Sequence, residues 1–404
     1  MENFESIVNC IIENMKIGIK KKVVLPKVLT EKLMEQLESC IKTKPYYNKK
    51  ITITLNYNYN KKLDNIFVGP ITNLIKFLKT VYLKNSSNKI GLCHLPNGIN
   101  MYKYLVRSSL TIKNINIDKM HKFGLDEVKN IHKKMIDLKN KLKFKGSLPE
   151  FNKYLKNKKS LQFKNSNELL TLYRNEIKKI DETIIPQYFN SNINIKNKCL
   201  VEPVPKYNED FSAEAYYMHG DLENTRNGKF YINLKYIKDN SKIEIESLTL
   251  HEVNPGHHFQ ITYHNESNLP LFIKTFNNDC YCEGWALYCE NLGTYTDLES
   301  FYGKLIMEMI RALRIVVDSG IHYYGWTYKK AFDYYKKYSF DSDPQIHNQI
   351  LRYIAIPTQA LTYKMGEKFI FDLGNEFKGN VKDFHSKFLE YGPVPLFLLK
   401  EEFK

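Results

Sequence analysis

Cysteine is scarce and unpatterned in this chain of 404 residues. There are 7, an odd number. Cys280, Cys282 and Cys289 lie near one another, but nothing forms a paired C-x-x-C zinc module. Reduced, mostly buried thiols in a cytosol-like compartment are the expectation. Residues 1–19 lack the basic segment and uninterrupted apolar core of a signal peptide, because Glu2, Glu5 and Glu13 interrupt the apolar residues. Nor does any apolar run approach the ~18–20 residues needed to span a bilayer. These absences predict a cytoplasmic protein with no membrane partner. Acidic residues are outnumbered, 44 against 60 lysines and arginines, for a formal net charge of +16. That balance permits binding to nucleic acid or an anionic surface. The lysines are spread widely among asparagines, however, and this argues against a nucleic-acid partner. What is plentiful is apolar: 43% hydrophobic and 13% aromatic content is ample for a sizeable core.

Periodicity predicts a mainly α-helical chain with a small β-sheet. Residues 30–41 carry Leu33, Met34, Leu37 and Ile41 on one stripe, with Thr30 as a candidate N-cap. Residues 51–59 alternate apolar and polar, as a strand does. Helical periodicity returns over 70–83, 101–109, 118–142, 149–155 and 167–189. Residues 200–205 read as extended and proline-broken. Residues 213–218 and 229–234 read as two short strands around Asn227-Gly228. The division expected is an N-terminal helical and strand region, 1–90, and a second region, 91–404, forming one globular unit with it.

The chemistry concentrates at 248–260, where three histidines and a glutamate fall between His251 and His258. Apolar residues lead in and out, so the cluster is expected to be partly buried. Buried imidazoles and carboxylates are costly unless paired or metal-bound, and this donor set suits zinc. A zinc-hydrolase helix usually reads H-E-x-x-H, with both imidazoles on one face and the glutamate as general base. Here the residue at i+4 is Pro255. On a straight helix His257 points away from His251, and His258 lies about 10 Å along the axis. Pro255 and Gly256 predict a kink or bulge instead. A bulge absorbing two residues brings His257 to the i+4 place. His251 and His257 are therefore the favoured ligands, and His258 is the alternative ligand or a substrate contact.

The stretch 279–292 supplies carboxylates. Glu283 and Glu290 are seven apart and share one helical face with Leu287 between them. Glu283 fits a third zinc ligand, and Glu290 fits a group that orients a ligand histidine. Arg314, Asp318 and His322 follow at i, i+4 and i+8. There Asp318 is expected to orient His322, which would bind substrate or an oxyanion. Further on, Tyr363 is a candidate donor to an oxyanion, and Arg352 or Lys364 a candidate partner for a substrate carboxylate.

His-Glu-x-x-Pro-Gly-His-His-x-Gln resembles the signature of the domain of unknown function 885 family, a group read as zinc metallopeptidases. Glu-Gly-Trp-Ala-Leu-Tyr at 283–288 and Val-Asp-Ser-Gly-Ile-His at 317–322 resemble its second and third motifs. The segment 357–366 resembles the fourth, with Thr358 where members usually have glycine. The resemblance covers roughly residue 95 to the C-terminus, and the N-terminal part looks shortened. It implies a gluzincin-like zinc-peptidase architecture with a central cleft, acting on a peptide or small amide. The expected mechanism places one Zn2+ on His251, His257 and Glu283, with Glu252 as general base and His322, Tyr363 or Arg352 at the oxyanion. The rival readings are a metal-dependent hydrolase of other amides or esters, and a non-catalytic scaffold retaining the fold.

Overall fold

A computed structural model describes residues 3–47, 57–206, 209, 212–223, 225–238 and 240–403. The chain forms two compact units. The first comprises Met1–Tyr102, Gly320–Phe332 and Pro344–Pro357, and the second comprises Lys103–Ser319, Asp333–Asp343 and Thr358–Lys404. The expected division near residue 90 therefore differs from the observed one. Two later segments, far away in sequence, join the N-terminal unit, and local periodicity carries no sign of such long-range pairing.

In the first unit, α1 (Phe4–Lys20), α2 (Lys27–Thr43) and α3 (Tyr57–Phe77) enclose a small apolar core. Val8, Leu74, Phe77, Leu78 and Tyr82 are buried together. The helical path of α3 continues through a π turn, Leu78–Tyr82, to Asn85. Thr30 is not the cap of α2. It lies inside the first turn, fully buried, with its hydroxyl on the Pro26 carbonyl. Of the strand expected over 51–59, residues 51–56 lie outside the described residues and 57–59 open α3. Asn60–Asn85 is long and apolar enough to cross a membrane by length and composition, contrary to the sequence expectation. Its apolar residues Leu74, Phe77 and Leu78 face the core of this unit instead.

α4 (Gly98–Leu110) belongs to the first unit up to Tyr102 and to the second from Lys103, and α5 (Ile117–Lys141) lies in the second. Asn116 caps α5 by accepting from the Lys119 N–H, and Met120, Val128, Ile131, Met135 and Leu138 form its buried stripe. Then come α6 (Leu148–Asn157), opened by a Ser147–Glu150 capping box, and α7 (Ser166–Tyr188). The sheet has three strands, β1 (Cys199–Pro203), β2 (Ala215–Met218) and β3 (Gly228–Ile232), in the order β1-β3-β2. β1 runs parallel to β3, and β2 runs antiparallel to it with Tyr217 opposite Phe230. The segment read only as extended is thus a third strand, with Pro203 at its end, where a missing N–H costs least.

Helices α8 (Ile245–Glu252), α9 (His257–Glu266), α10 (Asp279–Cys289) and α11 (Leu298–His322) follow. Of the remaining helices, α12 (Tyr328–Tyr338) is divided between the units at Phe332, α13 (Asp343–Ala355) belongs to the first unit from Pro344 on, and α14 (Thr362–Glu376), α15 (Val381–Tyr391) and α16 (Leu396–Glu402) belong to the second. Leu169 and Tyr173 of α7, Phe230 and Ile232 of β3, and Ile245 and Val253 share one core. That packing fixes α8 against the sheet. α10 and α14 cross at Gly284 and Gly366, where a Cβ on Gly284 would come 2.5 Å from the Gly366 backbone. Only paired glycines permit so close a crossing, and it sets the position of Glu283.

Candidate metal centre

Between His251 and His257 the helix is interrupted rather than kinked. α8 ends at Glu252, and Val253 has ψ −97°. The Asn254–Pro255 peptide is cis, and Gly256 (ψ −134°) precedes α9. Pro255 cannot donate to the His251 carbonyl. Gly256 fills the room beneath it so tightly that a Cβ would overlap the carbonyl oxygens of Leu250 and His251. Two side chains hold the turn. The Trp285 indole N–H donates to the Pro255 carbonyl at 2.8 Å, and the Asn254 amide donates to Asp181 at 2.6 Å. Trp285 is fully buried and stacks on Phe388, so this clamp has little freedom.

The interruption turns His257 back toward His251, and their ring centroids stand 4.9 Å apart. Glu283 arrives from α10. Its Oε2 lies 3.6 Å from His251 Nε2 and 3.4 Å from His257 Nε2. One ligand atom from each of the three residues lies within 4.8 Å of the others. Glu283 Oε2 is buried and accepts no hydrogen bond. An orphaned buried carboxylate oxygen is expensive, and a divalent cation among the three groups satisfies it. The donor set, two imidazoles and one carboxylate, matches a zinc site that keeps a fourth position open.

Charge around the centre is arranged in layers. Burial alone would raise the Glu283 pKa, but the imidazoles of His251 and His257 outweigh it and hold the carboxyl well below the usual range. Burial also opposes an imidazolium at His251, and Glu283 and Glu290 together overcome it, lifting that pKa to about 9. Glu290 follows α10 in a short 3-10 turn and is fully buried. It accepts from His251 Nδ1–H at 2.8 Å and from the Ser247 hydroxyl at 2.9 Å, and Arg311 stands 3.5 Å away. With Nδ1–H committed to Glu290, Nε2 is the ring nitrogen of His251 that faces Glu283 and the site. Glu252, beside His251, accepts the backbone N–H of Tyr217 on β2 at 2.9 Å.

His258 does not join the three. Its Nε2–H donates to the Asn197 carbonyl at 3.2 Å, and Nδ1 accepts the Tyr217 hydroxyl at 3.1 Å. Burial lowers its pKa to about 4, keeping the ring neutral. It thereby steadies β2, the strand that holds Glu252. Lys364 is no substrate anchor. Its buried ammonium is enclosed by Glu367 at 2.6 Å, Glu308 at 2.8 Å and Glu127 at 3.2 Å, so it ties α5, α11 and α14 together. Asp318 accepts the N–H of Thr358 at 2.9 Å. Thr358 has φ 73°, the left-handed conformation that favours glycine, and its hydroxyl bonds Ser109 at 2.6 Å. A glycine-like backbone is thus kept without glycine, and Asp318 supports it.

His322 and Arg352 belong to the first unit. Both ring nitrogens of His322 are taken by the backbone, Nε2–H donating to the Tyr353 carbonyl and Nδ1 accepting the Leu92 N–H. This is a structural histidine, which corrects the expected role at an oxyanion. Arg352 is exposed on α13. Tyr363 is buried in the second unit under the Arg314 guanidinium, 4.2 Å from its ring centre. Sequence reasoning missed Ser247, Tyr217 and Arg311. Ser247 lies four residues before His251 on the same helix and was findable by that spacing. Tyr217 and Arg311 come from distant segments and carry no local signal.

A family model described as "Bacterial protein of unknown function (DUF885)" matches residues 1–403. The match starts at residue 1, so the first 90 residues, which sequence motifs left outside the resemblance, fall within it. Two solved structures share the fold. One is "the putative lipoprotein from Colwellia psychrerythraea", with TM-score 0.86 and 24% identity, covering 99% of this chain and 73% of that one. The other is "a putative lipoprotein of unknown function from Shewanella oneidensis", with TM-score 0.71 and 18% identity, covering 100% of this chain and 76% of that one. No curated protein matches. The description of both neighbours as lipoproteins contradicts the cytoplasmic location expected from the sequence, and that expectation does not stand.

Proposed function

The chain belongs to the DUF885 family across residues 1–403, and on that premise we propose that it is a zinc-dependent metallopeptidase with a glutamate general base. The observation that carries this reading is the buried Glu283 Oε2, without a hydrogen-bond partner and within 3.6 Å of two imidazole nitrogens. His251, His257 and Glu283 would hold the ion. Zinc bound there supplies Lewis acidity and lowers the pKa of water toward neutrality. Glu252 takes the proton from water and returns it to the leaving amine. The Tyr217 N–H fixes one oxygen of that carboxylate, so it meets the proton in a set orientation. Tyr363 is the remaining candidate donor to the developing oxyanion. A gluzincin-like arrangement accords with this, paired histidines coming from α8 and α9 and a carboxylate from a later helix.

Purified protein should contain zinc near stoichiometry and cleave members of a peptide library. Chelation should stop turnover and added zinc restore it. Zinc content near zero, with no turnover after zinc addition, would leave a scaffold protein. Cleavage of small amides or esters alone would leave another class of metallohydrolase.

Glu290 gives a separate test. Glu290→Gln keeps the shape but removes the charge behind His251, so zinc affinity should fall about 10–100-fold. Competition against a chromophoric chelator measures it. An unchanged affinity in a folded variant would remove Glu290 from the metal's support.

A further inference from the structure

The positive charge of the first unit is not spread evenly. Residues 14–30 contain five lysines and no acidic residue, and residues 65–102 contain no acidic residue either. The fold joins these two stretches. The Leu25 N–H donates to the Tyr82 hydroxyl at 2.9 Å, and the Lys27 N–H donates to the Ser87 carbonyl at 2.7 Å. The turn after α1 therefore lies against the end of the α3 path. Lys20, Lys21, Lys22 and Lys84 are exposed there, and none of them forms an ion pair among the described residues. Lys16, Lys27 and Lys79 do have acidic partners, namely Glu13, Glu31 and Glu38.

Among the free lysines stand large apolar side chains that face solvent. Ile17 is 48% exposed, Val23 40%, Leu25 37% and Val81 42%. A solvated basic surface has no use for them, and isolated exposed apolar residues do not normally gather in one turn. Basic and aliphatic side chains together suit the interface of an anionic bilayer, with lysines at the phosphates and aliphatic groups in the acyl boundary. Nucleic acid fits less well, because none of these exposed apolar residues is aromatic and able to stack on a base.

We propose that the α1–α2 turn, with the end of the α3 path, is a peripheral docking surface for an anionic lipid bilayer. The surface belongs to the first unit and the metal ligands to the second, and the proposal stands whether or not the chain is a peptidase.

The full chain should sediment with vesicles of phosphatidylcholine containing phosphatidylglycerol, and not with phosphatidylcholine alone. Each lysine removed should lower partitioning about fivefold. The triple variant Lys20→Gln, Lys21→Gln, Lys22→Gln should therefore lose about 100-fold. Val23→Ser with Leu25→Ser should also weaken binding, and that loss should persist at high salt. As a control for net charge, Lys133→Gln with Lys134→Gln, exposed on α5, should change partitioning less than twofold. Equal loss per lysine in the control, or no preference for anionic vesicles, would overturn the proposal. Tighter binding to a single-stranded polynucleotide, lost in the same triple variant, would assign the surface to nucleic acid and overturn it as well. Thermal unfolding of each variant separates loss of the surface from loss of fold.

Discussion

Glu252→Gln should cut peptide turnover by about 10³–10⁴-fold and leave zinc bound. The carboxylate is not among the three groups that converge, so the donor set is intact in the variant. One of its oxygens accepts the Tyr217 N–H, and a glutamine oxygen can accept that bond equally well. Stability should therefore change little. The amide cannot take a proton at neutral pH, so proton transfer is the single property removed. Loss of kcat with KM nearly unchanged is the expected split, because substrate binding does not use this proton. Zinc content, melting temperature and turnover should be measured on the same preparation. Full turnover in a zinc-loaded Glu252→Gln protein would exclude the general-base role, and loss of zinc would mean that the carboxylate supports the site rather than the reaction.

The sequence was most legible where a function depends on spacing within one element. Glu283 and Glu290 are seven apart, and that spacing marked both as carboxylates on one face of the stretch 279–292. The choice of His257 over His258 followed from proline and glycine chemistry. The form of the break did not, because whether a chain kinks or stops depends on what packs around it. Here Trp285 and Asp181 grip the turn, from α10 and α7. Lys364 was read as a substrate contact because a lysine among apolar residues has the same local pattern whether it faces a cleft or an ion cluster. Its partners Glu127 and Glu308 lie on α5 and α11, and only the fold brings them together. His322 failed for a related reason. Helical spacing from Asp318 suggested a pair, while the ring found backbone partners at Leu92 and Tyr353. The acid-free stretches at 14–30 and 65–102 were visible in the sequence, but their meeting at Leu25 and Tyr82 was not.

Gly256→Ala should destabilise the fold and pull the zinc ligands apart at once. The space that a Cβ needs is occupied by the carbonyl oxygens of Leu250 and His251. Those are backbone atoms of α8, so no rotamer change can clear them. The torsions of Gly256, φ −69° and ψ −134°, lie outside the left-handed region; steric overlap, more than conformational freedom, selects glycine here. To admit the methyl group the turn must open, and it starts the helix that begins with His257. Separation of the two imidazoles then follows directly. Zinc affinity should fall more than 100-fold, and stability by about 3 kcal/mol or more, the range of severe core overpacking. Gly69→Ala makes the matched control. That glycine lies inside α3 with nothing within 4 Å of its Cβ direction, so alanine should be neutral or stabilising by up to about 1 kcal/mol. Melting curves with and without zinc test both variants together. Zinc should raise the melting temperature of the parent and of Gly69→Ala by mass action. Gly256→Ala should melt lower and gain nothing from zinc, and a normal zinc-dependent shift in that variant would mean that the close contact at His251 is not what brings the ligands together.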